Sequence, residues 1–384
     1  MSEASELTAS HAPPARKKID VVIGTRPEAI KMAPVILELR RRGIFQVRVV
    51  STGQHAGMLR QALAFFSLSP DIDLGIMKTG QTLDYITASA MTGVGELFDE
   101  AAPDAVLVHG DTTTTFAASL AAFHRHIPTG HVEAGLRSFD MAMPFPEEMN
   151  RALADRLAKW LFAPTGLAAR NLRRERVPGA KNIYVTGNTV IDALFSARGL
   201  AASPPPQAAS LASGPFILMT AHRRESWGKP MERICSALIE ILERHGGYRA
   251  LVPMHKNPLV REVMQNMLGG NGRIVLCDPL DYPDFVWALE KCKIIMSDSG
   301  GIQEEASALG KPVVVLRDVT ERPEAAELGT AVLAGTEAGR IVAATDRLIS
   351  DEVEYRRIEE RKFANPFGDG RASERIADIL TETL

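Results

Sequence analysis

The sequence contains only three cysteines in 384 residues, Cys235, Cys277 and Cys292, with no C-x-x-C pair among them. So sparse and odd a set argues against a disulfide framework and fits a reducing compartment, so a cytoplasmic setting is expected. No apolar run approaches the ~20 residues that a membrane-spanning helix needs. The first residues, MSEASELTASHAPPARKK, carry early glutamates where a signal peptide would be apolar, and 1–18 reads as a disordered tail. Charge of one sign is also missing. Lys and Arg number 44 against 47 Asp and Glu, a net charge of −3, which speaks against a nucleic-acid-binding surface. The first strand-to-helix turn, GTRPEAIKMAP (24–34), is neither G-x-G-x-x-G nor a Walker A loop, so no dinucleotide or ATP P-loop is expected there.

What is present is rhythm. Short apolar runs alternate with helical patterns: IDVVIG (19–24), VRVVSTG (47–53), AVLVHGD (105–111) and IPTGHVEAG (127–135), then FILMTAH (216–222), YRALVPMH (248–255), RIVLCD (273–278), KIIMSDS (293–299) and KPVVVLRD (311–318). Strands without polar alternation, separated by helices, indicate parallel sheets covered on both faces. Two series of about five units predict an α/β protein with two Rossmann-like, doubly wound domains facing a cleft. The boundary is expected near KNIYVTGNT (181–189), giving domains over 19–185 and 186–365; the Pro/Ala/Ser-rich stretch 201–214 falls inside the second. Ligands of such sheets bind beyond the carboxyl ends of the strands, which singles out the polar residues ending these runs.

Arg26 and Lys31 stand at the start of the first helix, where anions are favoured, although a capped surface helix would explain them equally. Asp111 ends one strand before a run of four threonines, and a simple N-cap role is open to it. Glu133 follows the next strand, and Glu147 and Glu148 open a helix. Acidic first turns are common, so the functional case rests on three carboxylates meeting at loop ends. His109 with Asp111, and His131 with Glu133, form two H-x-[DE] pairs; without H-E-x-x-H or paired cysteines they do not specify a zinc site. TAHRRESWGKP (220–230) gathers His222 and two arginines, donors suited to phosphate, and PMHKNP adds His255 and Lys256. In DYPDFVWAL (281–289) Phe285 is placed to face a base ring, while Phe285 or Trp287 serves the core.

SDSGGIQEEASALGKP (297–312) joins two opposed signals. Ser299, Gly300 and Gly301 open a helix as an anion site would, and two glutamates follow within a turn. Counting 100° per residue from Ile302 puts Glu304 opposite the buried stripe, toward water, and Glu305 only about 60° off it. Glu305 is then placed to take a neutral diol while the N-terminus takes phosphate, the polarity of a nucleotide.

Together, GTRPEAIKMAP, HGDTTTT, HVEAGLR, PEEMNR, TGNTVIDAL, HRRES, SDSGGIQEEA and TERPEA resemble the non-hydrolysing UDP-N-acetylglucosamine 2-epimerases of bacteria, in matching order from residue 19 to the end. The resemblance implies a GT-B arrangement, a last helix (366–384) packed back on the first domain, homodimers, and interconversion of UDP-GlcNAc and UDP-ManNAc. It implies Asp111, Glu133 and Glu147 as catalytic carboxylates and His222 beside the diphosphate. It assigns Arg26, Ser299, Gly300, Gly301 and Glu305, with Lys31 and Phe285, to substrate binding. No metal and no nicotinamide cofactor is implied. One departure stands out: family members carry polar side chains where this chain has Ala56, Gly57 and Gly80, although Gln54 and His55 remain. Allosteric activation by a second UDP-GlcNAc is therefore expected to be weakened, altered or absent. Epimerisation of a 3-acetamido uronic acid nucleotide, glycosyl transfer on the same fold, and a non-catalytic nucleotide-sugar sensor remain as alternatives.

Overall fold

The computed structural model describes residues 16–384 except 54, 55, 199, 201 and 202. The first sheet holds β1 (Lys17–Ile23), β2 (Phe45–Ser51), β3 (Ile72–Asp73), β4 (Ala105–His109), β5 (Thr129–Val132), β6 (Trp160–Ala163) and β7 (Ile183–Val185) in the order β3-β2-β1-β4-β5-β6-β7. The second holds β8 (Phe216–Thr220), β9 (Arg249–Pro253), β10 (Ile274–Cys277), β11 (Ile294–Ser297), β12 (Val313–Val315) and β13 (Ala331–Leu333) in the order β10-β9-β8-β11-β12-β13. Every pairing within both sheets is parallel. Each sheet reverses its winding once, between β1 and β4 and between β8 and β11, and there the strand ends open a crevice.

Helices cover both faces. In the first half they are α1 (Arg26–Arg42), α2 (Ala56–Phe65), α3 (Leu83–Glu100), α4 (Thr113–Phe123), α5 (Glu147–Leu157) and α6 (Gly166–Arg174), and α7 (Thr189–Ala197) lies between the halves. In the second they are α8 (Lys229–Arg244), α9 (Pro258–Leu268), α10 (Tyr282–Lys291), α11 (Gly300–Leu309), α12 (Pro323–Leu328), α13 (Ala338–Ser350), α14 (Glu352–Glu360) and α15 (Ala372–Thr383). No helix among the described residues is long and apolar enough to cross a membrane.

The uninterrupted apolar runs are legible because both faces of each central strand are covered: β4, β8 and β11 are buried along their whole length. β3, β6, β7 and β13 were not among the strands expected from sequence: β3, β7 and β13 are partly exposed edge strands without a long apolar run, and β6 (WLFA) follows closely on α5. Lys17 and Lys18, placed in the tail by the sequence, pair with Phe45 and Gln46 in β1.

The chain returns to the first sheet at its end. α15 packs against α1 and α7, Trp160 Nε1 donates to Thr383 Oγ1 at 2.8 Å, and Arg42 pairs with Asp378 at 2.7 Å. Asp192 of α7 receives the first turn of α15: the N–H groups of Ala372 and Ser373 donate at 3.2 and 2.8 Å, and Ser373 Oγ at 2.6 Å. A buried carboxylate thus satisfies helix-terminal donors that would otherwise lack partners. Asp192→Ala should lower stability to urea by about 2 kcal/mol; an unchanged midpoint would mean the helix docks by apolar contact alone.

Candidate active site

At the second crevice, Asp298 follows β11 and is wholly buried. Its Oδ2 accepts from the backbone N–H of His222 and of Arg223, each at 2.9 Å, and from Ser226 Oγ at 3.1 Å. Its Oδ1 lies 3.1 Å from His222 Nδ1. Burial opposes ionisation of Asp298, but the adjacent His222 ring and the backbone N–H groups of Arg223 and His222 prevail and hold the carboxyl below its usual range. His222 is thereby aimed from a fixed loop, its ring stacked on that of His255 at 6.1 Å.

Beside it opens a cavity of about 310 Å³ between the two halves, walled by Arg26 and Lys31 from α1, His222, Phe285 from α10, and Ser299, Gly301 and Glu305 at α11. Seven of the eleven candidate residues thus share one cavity. Arg26 spans to the second half, donating to Leu280 O at 2.9 Å. Phe285 lines the space and also packs against the core, while Trp287 is buried in a stack on Phe216. Burial pushes the Glu305 carboxyl up to about 7, against the Tyr282 hydroxyl that donates to it at 3.2 Å.

The three candidate carboxylates lie at the first crevice, Glu133 buried and Asp111 and Glu147 partly exposed. Glu133 sits just past β5 with φ of 70° and is buried. Lys31 Nζ pairs with its Oε2, Asn188 Nδ2 donates to the same oxygen at 2.8 Å, and His109 Nε2 stands 3.6 Å away. Burial disfavours the charged form, yet Lys31 first and His109 next overcome it, and the Glu133 carboxyl falls well below its usual range. Asp111 is held by Arg151, which also pairs with Glu148 at 3.2 Å. Glu147 opens α5, its pKa raised by burial and then by Asp111, with Arg223 opposing. Lys31 is the link: its chain lines the cavity while its ammonium meets Glu133.

One expectation is corrected. Glu304 is not solvated; it is 0% exposed, its Oε1 paired with Arg322 Nε at 2.8 Å and its Oε2 accepting from Asn188 Nδ2 at 2.7 Å. The helical phase was right, but the face opposite the stripe looks at α7 and the loop before α12, not at water. At Gly300, beside the cavity-lining Ser299 and Gly301, a Cβ would lie 2.4 Å from Arg322 Nη1, so its missing side chain makes room for a guanidinium. Gly301 stands in open space and leaves the helix start accessible from the cavity.

Sequence reasoning missed Asn188, Arg322, Asp298 and Glu28. Glu28 is buried and collects the N–H groups of Gly24 and Thr25 and the hydroxyls of Thr25 and Thr112 at 2.7–3.1 Å, tying the loops after β1 and β4 together. All four lie in the quoted motifs; Glu28 carries the T-x-x-E spacing of a capping box with Thr25, whereas the partners of Asn188, Arg322 and Asp298 are distant in sequence and nothing local marks them. His131, by contrast, is structural: Nδ1 meets Asp155 Oδ1 at 2.6 Å and Nε2 meets Gly110 O at 2.7 Å, occupying both nitrogens. Gln54 and His55 lie outside the described residues, and Ala56 opens α2.

A model of the family described as UDP-N-acetylglucosamine 2-epimerase matches residues 37–381. The chain is 49% identical over 371 residues to the UDP-N-acetylglucosamine 2-epimerase of Yersinia pestis, covering 94% of this chain and 98% of that one. It superposes with a TM-score of 0.88 on the UDP-GlcNAc 2-epimerase of Neisseria meningitidis bound to UDP-GlcNAc, at 43% identity over 95% of this chain and 100% of that one. The fold alone extends further, to the glycosyltransferase of kitacinnamycin at TM-score 0.63 and 13% identity over 96% of this chain and 99% of that one. With two three-layer α/β halves, a cavity at their strand ends and these likenesses over nearly its whole length, the chain belongs to the non-hydrolysing UDP-N-acetylglucosamine 2-epimerase family of isomerases.

Proposed function

We propose that this chain interconverts UDP-GlcNAc and UDP-ManNAc by eliminating UDP to give bound 2-acetamidoglucal and adding it back. The observation that carries the reading is Lys31, shared between the wall of the nucleotide-sized cavity and Glu133, a buried carboxylate just past β5. The C2–H of the sugar has no neighbouring carbonyl, so direct deprotonation would leave an unstabilised carbanion. Breaking C1–O first places positive charge on C1 and acidifies C2–H. A carboxylate then takes that proton, the C–H pair forms the C1–C2 double bond, and UDP departs with the C1–O electrons. Protonation of C2 on the opposite face and return of UDP oxygen to C1 give the epimer.

In this reading the nucleotide occupies the second domain (186–365), with Phe285 beside the base, Glu305 on the ribose hydroxyls, and Ser299 and Gly301 at the helix start on the diphosphate. His222 and Arg26 stabilise the departing charge. The first domain (19–185, with 366–384 packed back) supplies the acid and base. Glu133, with its depressed pKa, is the base; Glu147, with its raised pKa, carries the proton for the other face, and Asp111 stands beside it. Enclosure between the domains keeps water from the glycal. The family resemblance further supports a cytoplasmic homodimer supplying surface-polysaccharide precursors.

Incubation with UDP-GlcNAc in D2O, followed by NMR, should yield UDP-ManNAc carrying deuterium at C2; UDP with free ManNAc, or no exchange at all, would overturn the reading. A carboxyl held near 7, against an ordinary 4.5, is neutral in the free protein below that pH and costs stability as pH rises from 4.5 to 7. Ribose hydroxyls donating to it favour the ionised form. UDP binding should therefore release a proton and weaken as pH falls through about 7, and Glu305→Gln should flatten both trends in calorimetry. Because Ala56, Gly57 and Gly80 replace polar groups, UDP-ManNAc should turn over without added UDP-GlcNAc; a lag abolished by trace UDP-GlcNAc would show activation intact.

A further inference from the structure

Asn188 belongs to neither sheet; it lies between β7 and α7. Its backbone N–H donates to Phe367 O at 2.7 Å, and its side-chain Oδ1 accepts from Val190 N at 3.1 Å. Together these fix the loop and the sense of the amide, so the NH2 group points away from α7. Its two hydrogens go to carboxylates from opposite halves of the molecule, Glu133 Oε2 at 2.8 Å and Glu304 Oε2 at 2.7 Å. Capping a helix needs only the carbonyl oxygen. It gives no reason for an amide divided between two buried carboxylates.

The division leaves the oxygens of Glu133 unequal. Oε2 takes Lys31 from α1 and Asn188, with His109 of β4 at 3.6 Å, whereas Oε1 receives no hydrogen bond from any described residue. The charges facing Glu133 from the other half are Glu304 of α11 and Arg322 before α12. Glu304 is fixed by Arg322, whose guanidinium fills the space beside Gly300, the first residue of α11. A chain of direct contacts thus runs from the helix start at the cavity to Glu133.

We propose that Asn188 is a positioning residue: it holds Glu133 Oε2 against Lys31, leaving Oε1 to meet the substrate, and makes that orientation depend on the second domain being seated. The inference rests on the epimerase reading for what Oε1 does, but not for how Glu133 is held.

Asn188→Asp tests it, because aspartate caps as well as asparagine while replacing the shared donor by a third carboxylate. In the full chain, kcat for UDP-GlcNAc should fall by ~30-fold or more, with KM within about threefold, since only the transition state needs the oriented oxygen. The Glu133 carboxyl, followed without substrate by infrared difference spectroscopy against Glu133→Gln, should titrate higher by about one pH unit. Asn188→Ser keeps a cap and adds no charge; it should shift both readouts the same way by less, and covers the case of an unstable aspartate variant. Both variants within twofold of wild-type kcat with unmoved titration would make Asn188 only a cap, and an effect confined to KM would likewise overturn the proposal. If the wild type shows no turnover, the epimerase reading falls, and the infrared titration still decides whether Asn188 sets Glu133.

Discussion

Charged groups buried between the two sheets cannot stay charged without partners, and that constraint organises the site. Lys31, Glu133, Glu304 and Arg322 are all at most 9% exposed. An unpaired ion there would cost several kcal/mol, so each must find its complement or lose its charge. Lys31 raises its own pKa and depresses that of Glu133 by meeting it. Arg322 does the corresponding work for Glu304, yet burial still leaves that carboxyl raised. One amide, Asn188, lies between the two carboxylates and donates to Oε2 of each. The seam between the domains is therefore polar by necessity.

A second device repeats in both halves. At each reversal of winding, one buried carboxylate gathers the loops that leave the two diverging strands. Glu28 does so after β1 and β4, using two backbone N–H groups and threonine hydroxyls. Asp298 does so after β8 and β11, using two backbone N–H groups and a serine hydroxyl. A crevice at diverging strands has no ladder to hold its loops, and a carboxylate with several acceptor sites replaces it. Asp111 and His222 each leave such a stapled loop, which is how side chains from opposite halves keep fixed directions.

How much of this the sequence showed follows from the range of each interaction. Long buried strands, the helix start at Ser299 and the polar strand ends could be read, because apolar runs and turn residues are local signals. Seven of the candidate residues line one cavity for that reason, and Lys31, placed less securely by its motif, turned out to join the cavity to Glu133. The edge strands β3, β7 and β13 were missed because they are only partly buried and carry no long apolar run, and β6 because its WLFA follows closely on α5. Glu304 was misplaced because helical phase gives a direction without saying what lies there.

The sequence by itself determined the two repeating α/β series, the polar residue ending each strand, and the family, since those depend on residue order alone. Tertiary structure alone decided that the outward face of α11 is an interior one, that Gly300 yields its space to Arg322, and that Asn188, Glu133 and Glu304 share one amide. Asn188 and Glu304 stand 116 positions apart. Only the docking of one half on the other, through α7 and α11, removes water from between them, and without that removal neither the pairing nor the shifted pKa values would exist.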